Sequence, residues 1–170
     1  YRAMSWPSNS TSYPQLVTII AKENNTTITI TPDVATKNQN GIAAITANNS
    51  QTFTLSQGET IQFAVNTAAS GSNYDTGDIS GSLIISDKPI GVFGSTSCTQ
   101  LPTGKARCDH IEEQLFPTDT WGIHYLVVKT KSRNKLVNSS NAVEREFYKI
   151  VANANNTEIA FNPTSVIGGS

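Results

Sequence analysis

The stretch VTIIAKENNTTITITP, residues 17–32, does most to decide how this chain is expected to fold. Apolar residues alternate with polar ones on both sides of Asn24 and Asn25, and this period of two is typical of strands with one buried face. Ile28 and Ile30 between threonines are an example. Because asparagine tolerates the positive φ of a tight turn, the stretch predicts two strands joined by a hairpin turn.

The same stretch occurs a second time further along the chain. YKIVANANNTEIAFNP, residues 148–163, aligns with residues 17–32 without gaps and is identical at seven of sixteen positions. The segments before the two copies, YRAMSW (1–6) and YLVVKT (125–130), also correspond. A repeat of this kind indicates a repeated structural unit. We expect residues 1–118 to hold most of one β unit and 119–170 to hold the opening strands of a second, or to complete the first sheet.

Other short apolar runs surround the repeat and are bounded by Gly, Pro, Asn or Asp. They are QTFTL (51–55), ETIQFAV (59–65), SLIIS (82–86), IGVFGS (90–95) and YLVVKT (125–130). Many short strands with polar turns predict an all-β fold. The expected architecture is an antiparallel β-sandwich, immunoglobulin-like or jelly-roll, with a barrel or a propeller-like repeat array as the alternative.

The chain has two cysteines, Cys98 and Cys108, separated by a turn-rich stretch. Pairing them requires an ordinary hairpin-like approach, so we predict a disulfide, with two free thiols as the alternative. Asp109 is followed three residues later by Glu112, and Pro117 closes the segment, which matches a helix-capping pattern. A helix of about two turns is therefore expected after the disulfide-closed loop.

Composition limits the classes of function. Lys and Arg total 12 against 13 Asp and Glu, a net charge of −1, so the electrostatic signature of nucleic-acid binding is absent. No apolar run reaches the roughly 20 residues needed for membrane insertion. Charged residues make up 15% of the chain, below the usual value of about 25%. With no signal peptide at Tyr1, we expect a mature or excised portion of a secreted or cell-surface protein.

Six Asn-x-Ser/Thr sequons are candidate N-glycosylation sites of such a protein. They begin at Asn9, Asn24, Asn25, Asn48, Asn138 and Asn155.

The region from Asp78 to Tyr125 carries a resemblance to a known family. DISGSLIISDKPIGVFGSTSC, followed by CDHIEEQLFPTDTWGIHY, resembles the N-terminal domain of the IgGFc-binding protein family. The matching residues are Asp78, Gly81, Ser86, Asp87, Lys88, Pro89, Val92, Phe93, Cys98, Cys108, Asp109, His110, Glu113, Gln114, Leu115, Pro117, Trp121 and Gly122. The resemblance implies an extracellular binding or gel-forming module, and it assigns no residue to a contact with Fc.

Two groups of residues in the sequence carry side chains of the kinds that bind metal ions. Cys98, Cys108, Asp109 and His110 offer zinc-ligand chemistry, but no zinc-site spacing is present and a disulfide would remove the thiolates. Asp75, Asp78 and Asp87 lie near turns without an EF-hand pattern. Neither a metal nor a cofactor is expected.

Catalytic patterns are equally weak. Glu112 and Glu113 are adjacent, so on a helix they diverge and cannot flank one substrate bond. No G-x-S-x-G elbow occurs. The chain is therefore not expected to be an enzyme.

The motif residues Asp87, Lys88 and Pro89 suit either a partner contact or a hairpin turn, and the turn is the favoured interpretation. The motif residues Asp109, His110, Glu113, Gln114 and Trp121 are assigned structural or binding roles in the same way. Trp6, Trp121, Tyr74 and Tyr125 are the aromatic candidates for a contact surface.

The sequence leads to two hypotheses for the function of the chain. The first is an extracellular binding or adhesion module that recognises a protein or glycoprotein such as mucin or IgG Fc. The second is a structural repeat of a self-assembling filament or matrix, in which neighbouring repeats associate.

Overall fold

The computed structural model describes residues 1–8, 12–67, 77–101, 107–128 and 146–162. In these residues the secondary structure consists of strands and one 3₁₀ turn at Thr118–Thr120. The strands are β1 (Gln15–Ala21), β2 (Thr26–Thr31), β3 (Gln51–Leu55), β4 (Thr60–Ala64), β5 (Leu83–Ser86), β6 (Ile90–Thr99) and β7 (Asp109–Gln114). The all-β prediction is confirmed.

The strands form two antiparallel sheets that pack as a sandwich. One sheet has the order β4-β1-β6-β7 and the other has the order β3-β2-β5. The inward side chains of both sheets form one core, for example Ile19 and Val92 from the first sheet against Ile28 and Ile84 from the second. Phe53 and Phe63 meet with their ring centroids 5.4 Å apart. In the described residues the sheets do not close into the barrel that was the alternative.

Three short turns connect consecutive strands that lie in different sheets, and we call each such pair of strands an arch. The arches are β1–β2, β3–β4 and β5–β6, and each places one strand in each sheet. The β1–β2 arch is central, because β1 pairs with β4 and β6 while β2 pairs with β3 and β5.

The predicted hairpin turns at Asn24-Asn25 and at Asp87–Pro89 are therefore wrong. Both turns connect the two sheets, and the strands on either side of them pair with other strands. Alternation of apolar residues determines which face of a strand is buried, and it leaves the choice of hydrogen-bonding neighbour open. In an arch the two apolar faces oppose each other across the core.

The helix predicted from Asp109 is also wrong, because residues 109–114 form strand β7 beside β6. Cys98 and Cys108 are disulfide-bonded, with their Cα atoms 5.2 Å apart, and this brings the two backbones together where β7 starts. Strand pairing thus overrides a local capping pattern, which is a weak signal in so short a segment. A short helical turn does follow the disulfide, at Thr118–Thr120.

The first eight residues close one side of the sandwich. Tyr1 and Ala3 exchange backbone hydrogen bonds with β5 and its preceding residues, including Ala3 N to Ser82 O at 2.9 Å. The chain then turns along β6, where the Ser5 hydroxyl donates to the Ser95 carbonyl at 2.7 Å. Gly94 permits this path, because a Cβ there would collide with the carbonyl oxygen of Met4.

The region after β7 differs from the sandwich. Among the described residues, 121–128 and 146–162 contribute no strand to either sheet. Most of their large apolar side chains are exposed, including Ile123, Leu126 and Ile150. No helix in the described parts of the chain is long and apolar enough to cross a bilayer.

Candidate functional site

The turns of the three arches meet at one end of the sandwich, and we call residues 22–25, 56–59 and 87–89 the arch end. Asp87 joins the turn at residues 87–89 to the central arch, because its Oδ1 accepts a hydrogen bond from the Thr27 amide at 2.8 Å. Lys88 Nζ donates to the Asn24 carbonyl oxygen at 2.6 Å. Two of the motif residues therefore hold neighbouring arches together.

Asn24 also connects the central arch to the third turn. Its side-chain oxygen accepts a hydrogen bond from the Gln57 amide at 3.0 Å. Gly58, with φ of 76°, donates its amide to the Ala21 carbonyl at 2.8 Å. The three turns thus form one hydrogen-bonded surface. It contains five charged residues, namely Lys22, Glu23, Glu59, Asp87 and Lys88.

The motif residues of β7 lie elsewhere. Asp109 pairs with Thr99 at the far end of β6, whereas Asp87 lies in the turn just before β6 begins. His110 and Glu112 approach within 3.4 Å, and both are about half exposed on this edge strand. The motif residues are therefore divided between the arch end and the β7 edge.

Trp121, the remaining motif residue, follows the 3₁₀ turn. Its indole Nε1 donates to the Phe116 carbonyl at 3.2 Å, and its ring is half-buried. Nearby, the Gly122 amide donates to the Tyr125 hydroxyl at 3.1 Å. Both contacts are local, so they shape the segment that leaves β7. Tyr74, the other tyrosine considered as a contact residue, lies outside the described residues.

A second cluster, which we call the junction, holds residues 146–162 against the sandwich. Lys149 Nζ forms an ion pair with Asp78, donates to the Ser5 carbonyl at 2.8 Å and lies 5.7 Å from the centroid of the Trp6 ring. Asn153 accepts hydrogen bonds from Arg2 through both its side-chain and its main-chain oxygen, each at 3.2 Å.

The electrostatics of the junction follow from these contacts. Partial burial raises the pKa of the nearby Asp33 carboxyl, Arg2 lowers it and Asp78 raises it further. A hydrogen bond to Glu146 raises the pKa of the Tyr148 phenol. Sequence reasoning missed the junction. The repeat alignment did contain a signal for it. At two positions where the first copy has Thr18 and Lys22, the second copy has the junction residues Lys149 and Asn153.

Comparison with known proteins bears on what these surfaces are for. The model of the family described as IgGFc binding protein matches residues 1–169. The chain belongs to this family. A curated relative, the human protein named IgGFc-binding protein, is 40% identical over 58 residues, which cover 34% of this chain and 1% of that protein. No solved structure matches the chain.

Within this IgGFc-binding family member, the described residues hold no group of three His, Cys, Asp or Glu side chains suited to a metal ion. The two sulfur atoms considered as zinc ligands are bonded to each other. Asp78 and Asp87, considered for calcium, engage Lys149 and the Thr27 amide. Asp75 lies outside the described residues.

The sequons of this family member occupy turns where they are described. Asn24 and Asn25 lie at the arch end, and Asn48 and Asn155 are exposed in other turns. Asn9 and Asn138 lie outside the described residues. Their glycosylation stays a prediction, and a glycan on Asn25 would stand on the arch-end surface.

Proposed function

We propose that this chain is a non-catalytic, extracellular binding module that recognises a protein or glycoprotein partner through the arch end. The observation that carries the proposal is the family match over nearly the whole chain. The name of the human relative gives IgG Fc as the first partner to test. Mucin, the glycoprotein named as an expectation above, is the second.

The arch end suits this role for physical reasons. Turns supported by a rigid scaffold commonly carry binding residues, because side chains there are exposed while the backbone is held. Here Asn24, Asp87 and Lys88 fix the backbones of the three turns to one another. Lys22 and Glu23 are exposed and free to contribute charge to a partner contact. A pre-ordered surface loses less conformational entropy on binding than mobile loops lose.

The test is surface plasmon resonance of the full chain over immobilised IgG Fc and, in parallel, over mucin glycoprotein. The variant Lys22→Glu with Glu23→Lys reverses two arch-end charges at constant net charge. Its matched control is the charge swap Arg107→Glu with Asp109→Lys at the start of β7, where both side chains are exposed and the net charge again stays constant. We expect saturable binding whose affinity is at least tenfold lower in the arch-end variant and unchanged in the control. A tenfold loss of affinity corresponds to roughly 1.4 kcal/mol of binding free energy. No binding to either partner, or equal binding by all three proteins, would refute the proposal.

A second candidate function has its own observation. The exposed apolar residues of 123–128 and 146–162 favour a structural repeat that associates with neighbouring repeats. Light scattering behind a size-exclusion column checks it, since concentration-dependent growth in mass is expected for a self-assembling repeat.

A further inference from the structure

The second copy of the repeat reproduces the turn of the first. Asn25 and Asn156 occupy the same position of the repeat and have φ values of 54° and 58°. The next residue makes the same hydrogen bond in both copies, from Thr26 Oγ1 to Glu23 O at 2.7 Å and from Thr157 Oγ1 to Ala154 O at 2.8 Å. Residues 148–162 therefore already have the turn of an arch.

The second copy also keeps the residues that form a core face. At five of the positions that are buried in β1 and β2, both copies carry apolar or aromatic side chains. The pairs are Val17/Tyr148, Ile19/Ile150, Ala21/Ala152, Ile28/Ile159 and Ile30/Phe161. The first member of every pair is buried and the second is exposed. We call residues 148, 150, 152, 159 and 161 the second arch face.

The junction holds the opposite side of residues 148–153, which correspond to β1 in the repeat but form no strand in the structure. Lys149 and Asn153 contact the sandwich, and they alternate with Tyr148, Ile150 and Ala152 along the chain. The exposures follow the same alternation, because Tyr148, Ile150 and Ala152 are exposed while Lys149 and Val151 are half-buried. The contacts of Lys149 and Asn153 therefore leave the second arch face directed away from the sandwich.

The first unit shows what such a face binds. Its central arch lies between the arches β3–β4 and β5–β6. The segment at residues 1–4 pairs with β5 as well, and its counterpart at 125–128 is exposed. Residues 125–128 and 148–162 form no sheet pairing with any described residue. The segments to which they correspond in the first unit, residues 1–4, β1 and β2, have sheet partners that all lie between Gln51 and Thr99.

We infer that the second arch face is the docking surface for a pair of flanking arches of the β3–β4 and β5–β6 type, with which it forms a second sandwich. The partner is a polypeptide with two arches of alternating apolar residues. It pairs with the two segments that flank the turn, 148–152 and 159–162, and buries Ile150 and Ile159. This inference does not depend on Fc or mucin binding.

A complementation experiment tests the inference with the full chain. The probe is a separate polypeptide with residues 33–101 of this sequence and Cys98→Ser, which carries both flanking arches. The test variant is Ile150→Asp with Ile159→Asp. The matched control, Ala160→Asp, places a charge at the position between Ile159 and Phe161, which is not part of the second arch face. Light scattering gives the stoichiometry, and hydrogen exchange reports on residues 148–162.

We expect a one-to-one complex in which amide exchange over residues 148–162 slows at least tenfold. The double variant should lose at least tenfold in affinity, and Ala160→Asp should bind like the parent chain. Absence of a complex, or equal binding by the double variant, would overturn the inference. So would dimerisation of the chain alone through Ile150 and Ile159, because a second copy would then be the occupant.

Discussion

The two copies of the repeat differ in environment much more than in sequence. Ile19 is 0% exposed and its counterpart Ile150 is 55% exposed, and the values for Ile28 and Ile159 are 0% and 52%. The turns between these residues are alike. The comparison shows that the Asn-Asn-Thr turn is determined locally, whereas the strands on either side form only where neighbouring arches supply hydrogen-bond partners. A two-stranded element is marginal in water without such partners.

The first prediction compares the two copies at an equivalent core position and has the largest expected effect. Ile19→Ala removes buried methyl groups between β4 and β6, so it should lower the free energy of unfolding by about 2–5 kcal/mol. Ile150→Ala should change it by less than about 0.5 kcal/mol, because the side chain is exposed. Urea denaturation of both variants measures the difference. Equal losses would mean that the second copy is packed like the first.

The second prediction compares two glycines, one in each region. Gly94→Ala should destabilise the sandwich by about 1–3 kcal/mol, because the new methyl group collides with the Met4 backbone. Gly122→Ala is the control, since its methyl group would meet its nearest neighbour, the His124 oxygen, at an ordinary 3.7 Å. Thermal denaturation measures both. A stable Gly94→Ala protein would show that residues 1–8 do not lie against β6.

The third prediction separates the turn from its strands and has the smallest expected effect. Asn25→Ala should lower stability by about 1–2 kcal/mol, since alanine tolerates positive φ poorly. Asn25→Gly should be better tolerated than alanine, because glycine adopts positive φ readily. Asn156→Ala should leave the unfolding of the sandwich unchanged. Chemical denaturation curves of the three variants provide the comparison, and a loss in Asn156→Ala equal to that in Asn25→Ala would contradict it.

The sequence allowed strands β1 to β6 and the disulfide to be predicted, because their signals are local, whereas the strands expected in YLVVKT and in the second repeat copy are absent from the described residues. Ile28, Ile30, Ile61 and Phe63 alternate with polar residues, and the structure buries all four. The choice of neighbours was mispredicted, since alternation does not specify which strands pair. The segment from Asp109 was mispredicted because its pairing with β6 depends on residues outside it.

The candidate site was less accessible to prediction than the fold. The motif residues Asp87 and Lys88 were identified, but their contacts with Thr27 and Asn24 depend on how the arches stack. The junction was missed because Lys149 and Asp78 are 71 positions apart in sequence. A comparison of the two repeat copies at their outward positions would have drawn attention to Lys149.

The most direct test of the central claim is hydrogen exchange of the unmodified chain, resolved by peptide. The account predicts strong protection over β1 and β2, whose amides pair with neighbouring strands, and exchange at least about a thousandfold faster over residues 148–162. Equal protection of the two copies would contradict it, because the second arch would then already have partners.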